Sequence, residues 1–259
     1  MPLPLRAARL AAWGTAYLRG DVDVERAVRA VEGEDEPHLV VTEPLHEPEE
    51  LADALVTLRG QDVAGLRPAL PVPGDLLGLT GPAEVNRAAL EAGEAVVAVL
   101  AGGGPQVPVW VPEVTSFGPD GDRGHCVTWR GMAGSAAWPD VPTLGEADRD
   151  LRSVMQEVIE TLRRLDAAPW GPDGRRTAEA LRGQEHALHL PDACGARADT
   201  LSRQALAVLA LAETARDDDG GTVSAHAAES RRTALAPLTR AARRAVVAAC
   251  SAALEPARR

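Results

Sequence analysis

The sequence predicts an α+β protein, in which a mixed, largely antiparallel sheet flanked by helices is followed by an all-helical C-terminal region. Early in the chain, helical patterns alternate with short β-branched runs, and two apolar runs within 95–114 are separated by a Gly-rich turn typical of a hairpin. From residue 143 onward, apolar residues recur at helical spacing without a strand pattern. We therefore predict an acidic α+β domain at 1–142 and a helical region at 143–259 packed on the first.

The elements of the first domain follow from apolar periodicity and from capping residues. Helices are expected over residues 4–19, 24–31, 47–59 and 82–92. Strands are expected over residues 37–42, 62–72 and 94–101, in the second apolar run of 95–114, and over 124–130. Gly20 supplies the first helix stop, and Asp21 or Asp23 can cap the second helix.

The C-terminal region contains the clearest amphipathic helix of the chain. Its apolar stripe consists of Leu151, Val154, Met155, Val158, Ile159, Leu162 and Leu165. Another helix is expected around 201–212. The last helical stretch, about 224–253, contains Pro237, which must either kink the helix or begin a new one.

The segment Pro71–Glu94 joins an extended run, a Gly-rich loop and a short helix. Prolines at 68, 71 and 73 remove amide donors and favour an edge strand over a central one. Gly74, Gly78 and Gly81 allow tight turns, and Pro82 suits a first helical residue. This arrangement is compatible with a binding site, and equally with an ordinary connection between a strand and a helix.

Four residues near this loop are candidates for ligand binding: Arg67, Asp75, Arg87 and Glu113. A pair of carboxylates, Asp75 and Glu113, can do acid–base work, and an arginine can anchor an anion. The loop lacks the spacing of a dinucleotide site and the ending of a P-loop. Turn formation explains Asp75 at least as well as ligand binding does.

The metal-capable residues do not form a complete ligand pattern in the sequence. The sequence contains only one close group of candidate zinc ligands, which are His186, His189 and Cys194. Structural zinc sites usually have two close pairs of ligands, separated by a longer stretch of chain. His125 and Cys126 are adjacent in a predicted strand, so their side chains point to opposite faces, and Cys126 is expected to be buried. We therefore predict no metal, no cofactor and reduced thiols.

Charge is unevenly distributed along the chain. The formal net charge is −11, and residues 1–142 account for all of it, with 10 Arg against 21 acidic residues. Such a surface repels phosphate backbones, which excludes nucleic acid as a partner. Arginines of the last helical stretch are expected on a solvated face; they are Arg231, Arg232, Arg240, Arg243 and Arg244. No apolar run is long enough to span a membrane, so we predict a cytoplasmic protein without a membrane partner.

Several segments resemble a family of uncharacterised actinobacterial proteins of similar length. They are LPVPGDLLGLTGPAEVNRAALEAGEAVV, VPEV, HLPDACGARADTLSRQALAVLALAE and RRTALAPLTRAARRA. The strongest part is the PGDxxGLxGP loop followed by AALEAGEAV. The resemblance covers most of the chain and implies a shared architecture, without an activity, a cofactor or a catalytic residue.

Two functions remain open from the sequence. The first is a non-enzymatic interaction or regulatory protein with a protein or small-molecule partner, because no set of nucleophile, base and orienting group is found. The alternative is a small-ligand binder or enzyme that uses the cleft beside the Gly74–Gly81 loop.

Overall fold

The computed structural model describes residues 5–35, 37–42, 45–119, 123–136, 140–164, 188–217 and 225–255, without the side chains of 45–46, 162–164, 213–217 and 225–232. The described helices are α1 (Arg6–Arg19), α2 (Val24–Glu32), α3 (Leu51–Gly60), α4 (Ala83–Ala92), α5 (Leu144–Arg164), α6 (Gly195–Asp217) and α7 (Ala225–Cys250). Short 3₁₀ turns cover Asp192–Cys194 and Ala252–Leu254. The strands are β1 (His38–Thr42), β2 (Leu45–Glu50), β3 (Val63–Ala69), β4 (Ala95–Leu100), β5 (Gln106–Phe117) and β6 (Gly124–Ser135).

The six strands form one sheet in the order β2-β1-β6-β5-β4-β3. Only β1 and β6 pair in parallel, and the other four pairings are antiparallel. The predicted α+β class with a mixed, largely antiparallel sheet is therefore confirmed, as is the helical character of the C-terminal region. None of the helices described is long and apolar enough to cross a membrane.

Apolar residues cover both faces of the sheet, because successive strand side chains point to opposite sides. On one face, Leu10 of α1 and Leu55 of α3 belong to a buried cluster with Trp129 of β6. On the other face, Val85 of α4 packs in a cluster with Val109 of β5. The sheet is thus a middle layer between α1–α3 and α4.

The helix ends in the first part follow the predicted signals. Gly20 ends α1 in the left-handed conformation, with φ +84°. Asp23 caps α2 by accepting a hydrogen bond from the Arg26 N–H at 2.7 Å. These local signals act within a few residues, which is why the sequence alone was sufficient to find them.

The prediction of a helix starting at residue 47 was wrong for its first residues. Leu45–Glu50 forms β2, an edge strand that pairs antiparallel with β1, and α3 begins only at Leu51. The Glu residues and Pro48 resemble a helical first turn in sequence, yet charges and proline also suit a sheet edge. Pairing with β1 decided between the two structures.

The Gly-rich loop has the tight turns that its glycines predict. Gly74, Gly78 and Gly81 have φ values of +84°, +93° and +97°. β3 is an edge strand, as the prolines indicated, but it ends at Ala69 rather than at residue 72. Pro82 was expected to be the first residue of α4, but it is the N-cap, and the helix begins at Ala83.

The chain separates into two compact units, and each is discontinuous in sequence. The unit with the sheet comprises Pro4–Val141, His189–Ala196 and Cys250–Arg259. The helical unit includes Pro142–Leu188 and Arg197–Ala249. The predicted boundary at residue 142 assigned residues 189–196 and 250–259 to the helical region, whereas they belong to the unit with the sheet. That the two predicted segments are separate domains stays a prediction.

In the helical unit, Asp148 of α5 joins two arginines. Its carboxylate lies 2.8 Å from Arg152 Nη2 and 3.0 Å from Arg197 Nη2. Helix α7 continues through Pro237. Arg243 is only 5% exposed, so its expected place on a solvated face was wrong. The predicted stripe on α5 includes buried Leu151 and exposed Ile159, whereas the Leu162 side chain and Leu165 lie outside the described part.

Candidate functional site

A cavity of about 630 Å³ lies beside the last residues of β6. Its walls come from the end of β1, the start of α4, the first part of β5, and residues 130–133 of β6. We call it the β6 cavity. Its volume falls within the range of sites that hold small organic molecules.

The floor of the β6 cavity is apolar. Val85 and Val107 line it from the cluster on the α4 face of the sheet and are 2% and 5% exposed. Trp110 lines it from the cluster on the α1–α3 face and is 5% exposed. Met132 is half-buried and adds a flexible thioether. A ligand on this floor therefore contacts carbon and sulfur atoms held in place by the surrounding core.

The rim of the β6 cavity is polar and exposed. It carries the hydroxyl of Thr42, the carboxylate of Glu84, the amide of Gln106 and the guanidinium of Arg130. Arg130 Nη1 lies 3.9 Å from Glu113 Oε1, and both side chains are largely open to solvent. Such an exposed pair is weak, so the Arg130 guanidinium can exchange this partner for a ligand anion.

The cavity exists because β1 is shorter than β6. Thr42, the last residue of β1, pairs with Gly131, whereas β6 continues to Ser135. Among the described residues, the next partner of the outer edge of β6 beyond Thr42 is the Gly-rich loop. The Ser135 N–H donates to the Gly81 carbonyl at 3.0 Å, and Thr80 Oγ1 donates to the Ser135 carbonyl at 2.8 Å. Pro82, directly after the Gly74–Gly81 loop, is among the lining residues, so the cavity adjoins the end of that loop.

The backbone of Ala133 faces this gap. In an antiparallel pair, alternate residues turn both N–H and C=O away from their partner strand. The outward residues of β6 include Val127, which donates to the Pro37 carbonyl, and Ser135, which donates to Gly81. Ala133 is an even number of residues from both Val127 and Ser135, so its N–H and C=O also point outward. It lines the cavity, and no strand in the described part of the chain pairs with it on this side.

The four residues predicted for ligand binding lie at different places in the sheet unit. Arg67 of β3 is half-buried, and burial lowers the pKa of its guanidinium. Asp75 forms a backbone bridge with Val72, and Arg87 lies exposed on α4. Glu113 is on β5 and reaches the cavity rim through Arg130.

Two of these four residues are well separated. Arg67 pairs with Val97, which pairs with Val109, and Glu113 lies four residues further along β5. Two strand spacings and four residue steps place the Arg67 and Glu113 Cα atoms roughly 16 Å apart. The structure therefore does not bring Arg67 and Glu113 to one point, and the binding role of the four residues stays a prediction.

Sequence reasoning did not identify the rim residues, which are Thr42, Glu84, Gln106 and Arg130. Each looks like an ordinary polar position at the end of a strand or helix. Only the register of β1, β5 and β6 places them around one space, so no local signal in the sequence marked them.

A second polar site lies inside the sheet unit and is formed by Arg6, Arg9, Asp35, His38, Glu94 and Trp129. Glu94 is 1% exposed, and its Oε2 accepts a hydrogen bond from the Ala7 N–H at 2.7 Å. Asp35 Oδ2 lies 2.8 Å from Arg6 Nε and 3.3 Å from Arg9 Nη2. We call this group the buried polar cluster.

Burial shifts the two titrating groups of this cluster in opposite directions. Burial disfavours the charged form of Glu94 and raises its pKa to about 7. The hydrogen bond from the Ala7 N–H acts in the opposite direction and lowers this pKa, but burial has the larger effect. Burial also lowers the pKa of His38 to about 4, and its Nδ1 accepts from Trp129 Nε1 at 3.2 Å. Because Glu94 serves the first turn of α1, the cluster fastens that helix to the sheet.

The metal and thiol candidates are only partly within the described residues. Among those residues, no three His, Cys, Asp or Glu side chains are grouped to hold a metal. His186 lies outside them, the His189 carbonyl accepts a hydrogen bond from Trp13 Nε1, and Cys194 is buried. Cys126 is half-exposed, so the expectation that it is buried was wrong.

The fold and site together define an α+β protein with a ligand-sized cavity at an open strand edge. The chain belongs to the Rv1486c-like protein family: the model of the N-terminal domain matches residues 7–143, and that of the C-terminal domain matches residues 145–247. The resemblance to a family of uncharacterised proteins is thereby confirmed. Comparison with curated proteins and with solved structures found no significant match.

Proposed function

We propose that this chain is a non-enzymatic regulatory protein that binds a small organic ligand in the β6 cavity. One observation carries the proposal: a volume of about 630 Å³ combines a buried apolar floor with an exposed rim of opposite charges. Concave apolar sites with a few polar groups are the usual form of ligand pockets.

The energetics favour a ligand that uses both parts of the site. Covering roughly 150 Å² of apolar surface contributes about 4 kcal/mol at 25 cal/mol per Å². Loss of translational and rotational freedom costs at least about that much. Hydrogen bonds and charges at the rim therefore determine whether binding is useful, and they select the ligand.

A thermal-shift screen of metabolite mixtures tests this proposal. Thr42→Trp places a large side chain at the cavity mouth, at an exposed position. Thr115→Trp is the matched control, since Thr115 is also an exposed strand threonine but does not line the cavity. We expect a stabilising compound whose effect is lost in Thr42→Trp and kept in Thr115→Trp.

Mass spectrometry of the bound compound completes the experiment. Recovery of the compound unchanged after long incubation supports binding without catalysis. Conversion of the compound would contradict the non-enzymatic role, and equal binding by both tryptophan variants would contradict the location. If no compound in a broad screen stabilises the chain, the ligand-binding proposal fails.

The remaining sequence predictions keep their status beside this proposal. The exclusion of nucleic acid is supported by the net charge of −11 and is tested by electrophoretic mobility shift. The cytoplasmic location is tested by fractionation, and the protein-interaction role is tested by affinity capture with mass spectrometry. Binding roles for Arg67, Asp75, Arg87 and Glu113 are tested by neutral substitution and measurement of affinity for the compound found above.

A further inference from the structure

We propose that the ligand of the β6 cavity is a short zwitterionic peptide, about three residues long, bound as an added strand on the free edge of β6. This inference rests on the proposed function and names the ligand class. It follows from three features of the cavity: the open backbone at Ala133, the placement of two opposite charges, and the length of the gap.

The first step is the backbone edge. The N–H and C=O of Ala133 both point into the gap, and an extended residue placed opposite can exchange two hydrogen bonds with them. Pairing of this kind is the general mode by which sheet edges bind peptides. A ligand residue needs its own amide N–H and carbonyl, which the middle residue of a tripeptide provides.

The second step is charge. Arg130 lies next to Gly131, at the β1 end of the gap, and Glu84 follows Gly81, which is bonded to Ser135 at the other end. A peptide that runs antiparallel to β6 therefore places its ammonium near Glu84 and its carboxylate near Arg130. The same direction allows its middle residue to exchange both hydrogen bonds with Ala133. The positions of the charges and the backbone hydrogen bonds therefore require the same direction of the peptide.

The third step is length. The last β1 pair is at Gly131 and the Gly81 bond is at Ser135. Between them, four residue steps of β6 edge, or roughly 13 Å, have no strand partner in the part of the chain that the structure describes. An extended tripeptide spans roughly 10 Å. A longer chain meets Thr42 or the Gly-rich loop, which favours a free short peptide over a strand from a folded protein.

Isothermal titration with the tripeptide alanyl-leucyl-alanine tests the inference, and the ligand itself supplies the controls. Replacing its first amide by an ester removes the middle N–H, and we expect roughly tenfold weaker binding. C-terminal amidation and N-terminal acetylation each remove one charge, and we expect a loss of similar size from each.

Protein variants locate the contacts. Arg130→Met should weaken the free tripeptide roughly tenfold and abolish the difference between the free and amidated peptides. Arg29→Met is the matched control, because Arg29 is an exposed arginine on α2 outside the cavity lining, and this variant should retain wild-type affinity. Melting curves of both variants verify folding, and the ester analogue tests the backbone contact without any substitution.

The outcomes separate this inference from the proposed function. Absence of tripeptide binding, combined with another compound whose effect Thr42→Trp removes, overturns the peptide and leaves the ligand cavity standing. Equal affinity for the ester and the amide overturns the added strand. Full affinity of the acetylated peptide overturns the free-peptide assignment and points to a protein C-terminus as the source.

Discussion

At the scale of single residues, Glu94 and His38 give opposite contributions to the pH dependence of stability. The pKa of Glu94 rises from 4.5 to about 7, so stability from this group is present at low pH and is lost as pH rises through 7. The pKa of His38 falls from 6.5 to about 4, so its neutral burial destabilises the fold as pH falls below 6.5. Between pH 4.5 and 6.5 the two effects oppose each other.

We predict that Glu94→Gln exposes the His38 contribution. The amide keeps an acceptor for the Ala7 N–H but cannot ionise, so the variant should gain stability, by up to about 3 kcal/mol, at pH 8 relative to the wild type. Its free energy of unfolding should then rise with pH between 4 and 6.5. Urea denaturation at several pH values measures both effects.

Glu91→Gln is the control for Glu94→Gln. Glu91 is an exposed carboxylate on α4. The Glu91→Gln substitution should therefore leave the pH dependence of the free energy of unfolding as it is in the wild type. Parallel profiles for Glu94→Gln and the wild type would contradict the raised pKa. The charged neighbours Arg6, Arg9 and Asp35 remain in every variant, so a difference between the two substitutions belongs to position 94.

At the scale of elements, one threonine joins α1 to the edge of the sheet. Thr15 Oγ1 accepts from the Leu66 N–H at 2.8 Å and donates to the Leu66 carbonyl at 3.0 Å. Leu66 is on β3, an edge strand whose outward backbone groups need partners. Gly65 permits this approach, since a Cβ there would lie 2.9 Å from Thr15 Cγ2.

We predict that Thr15→Val destabilises the protein although the two side chains have the same shape. Both backbone groups of Leu66 lose their partner in a fully buried place, at about 1–3 kcal/mol for each unsatisfied group. Chemical denaturation measures the change, and Thr115→Val at an exposed strand position is the control. A change no larger than that of the control would mean that the edge has another partner.

At the scale of the whole molecule, the end of the chain returns to the sheet unit. The Ala253 carbonyl accepts a hydrogen bond from Arg19 Nη1 of α1. Cys250 and Ala253 are buried, and a Cβ on Gly65 would meet the Leu254 side chain. The sheet unit therefore includes residues far from it in sequence.

We predict that removal of residues 250–259 destabilises the sheet unit more than removal of 256–259 alone. The longer deletion removes buried apolar contacts of a size that costs about 2–5 kcal/mol elsewhere. Thermal unfolding monitored by tryptophan fluorescence compares the two truncations, since Trp13, Trp110 and Trp129 all lie in the sheet unit. Equal melting temperatures would show that the terminal segment adds no stability.

The sequence by itself determined the features that depend on near neighbours. Helix ends at Gly20 and Asp23, the left-handed glycines of the Pro71–Glu94 segment, the hairpin and the α+β class follow from local propensity and periodicity. The family resemblance also came from the sequence, through the PGD loop and its helix.

Tertiary structure alone decided the features that depend on distant pairing. β2 became a strand because β1 offers it hydrogen bonds, although its Glu residues also suit a helix. The β6 cavity arises from the unequal lengths of β1 and β6, and the Glu94 to Ala7 bond joins residues 87 positions apart. A polar side chain acquires its role from groups brought near it in space, and strand register is set by the packing of the whole sheet.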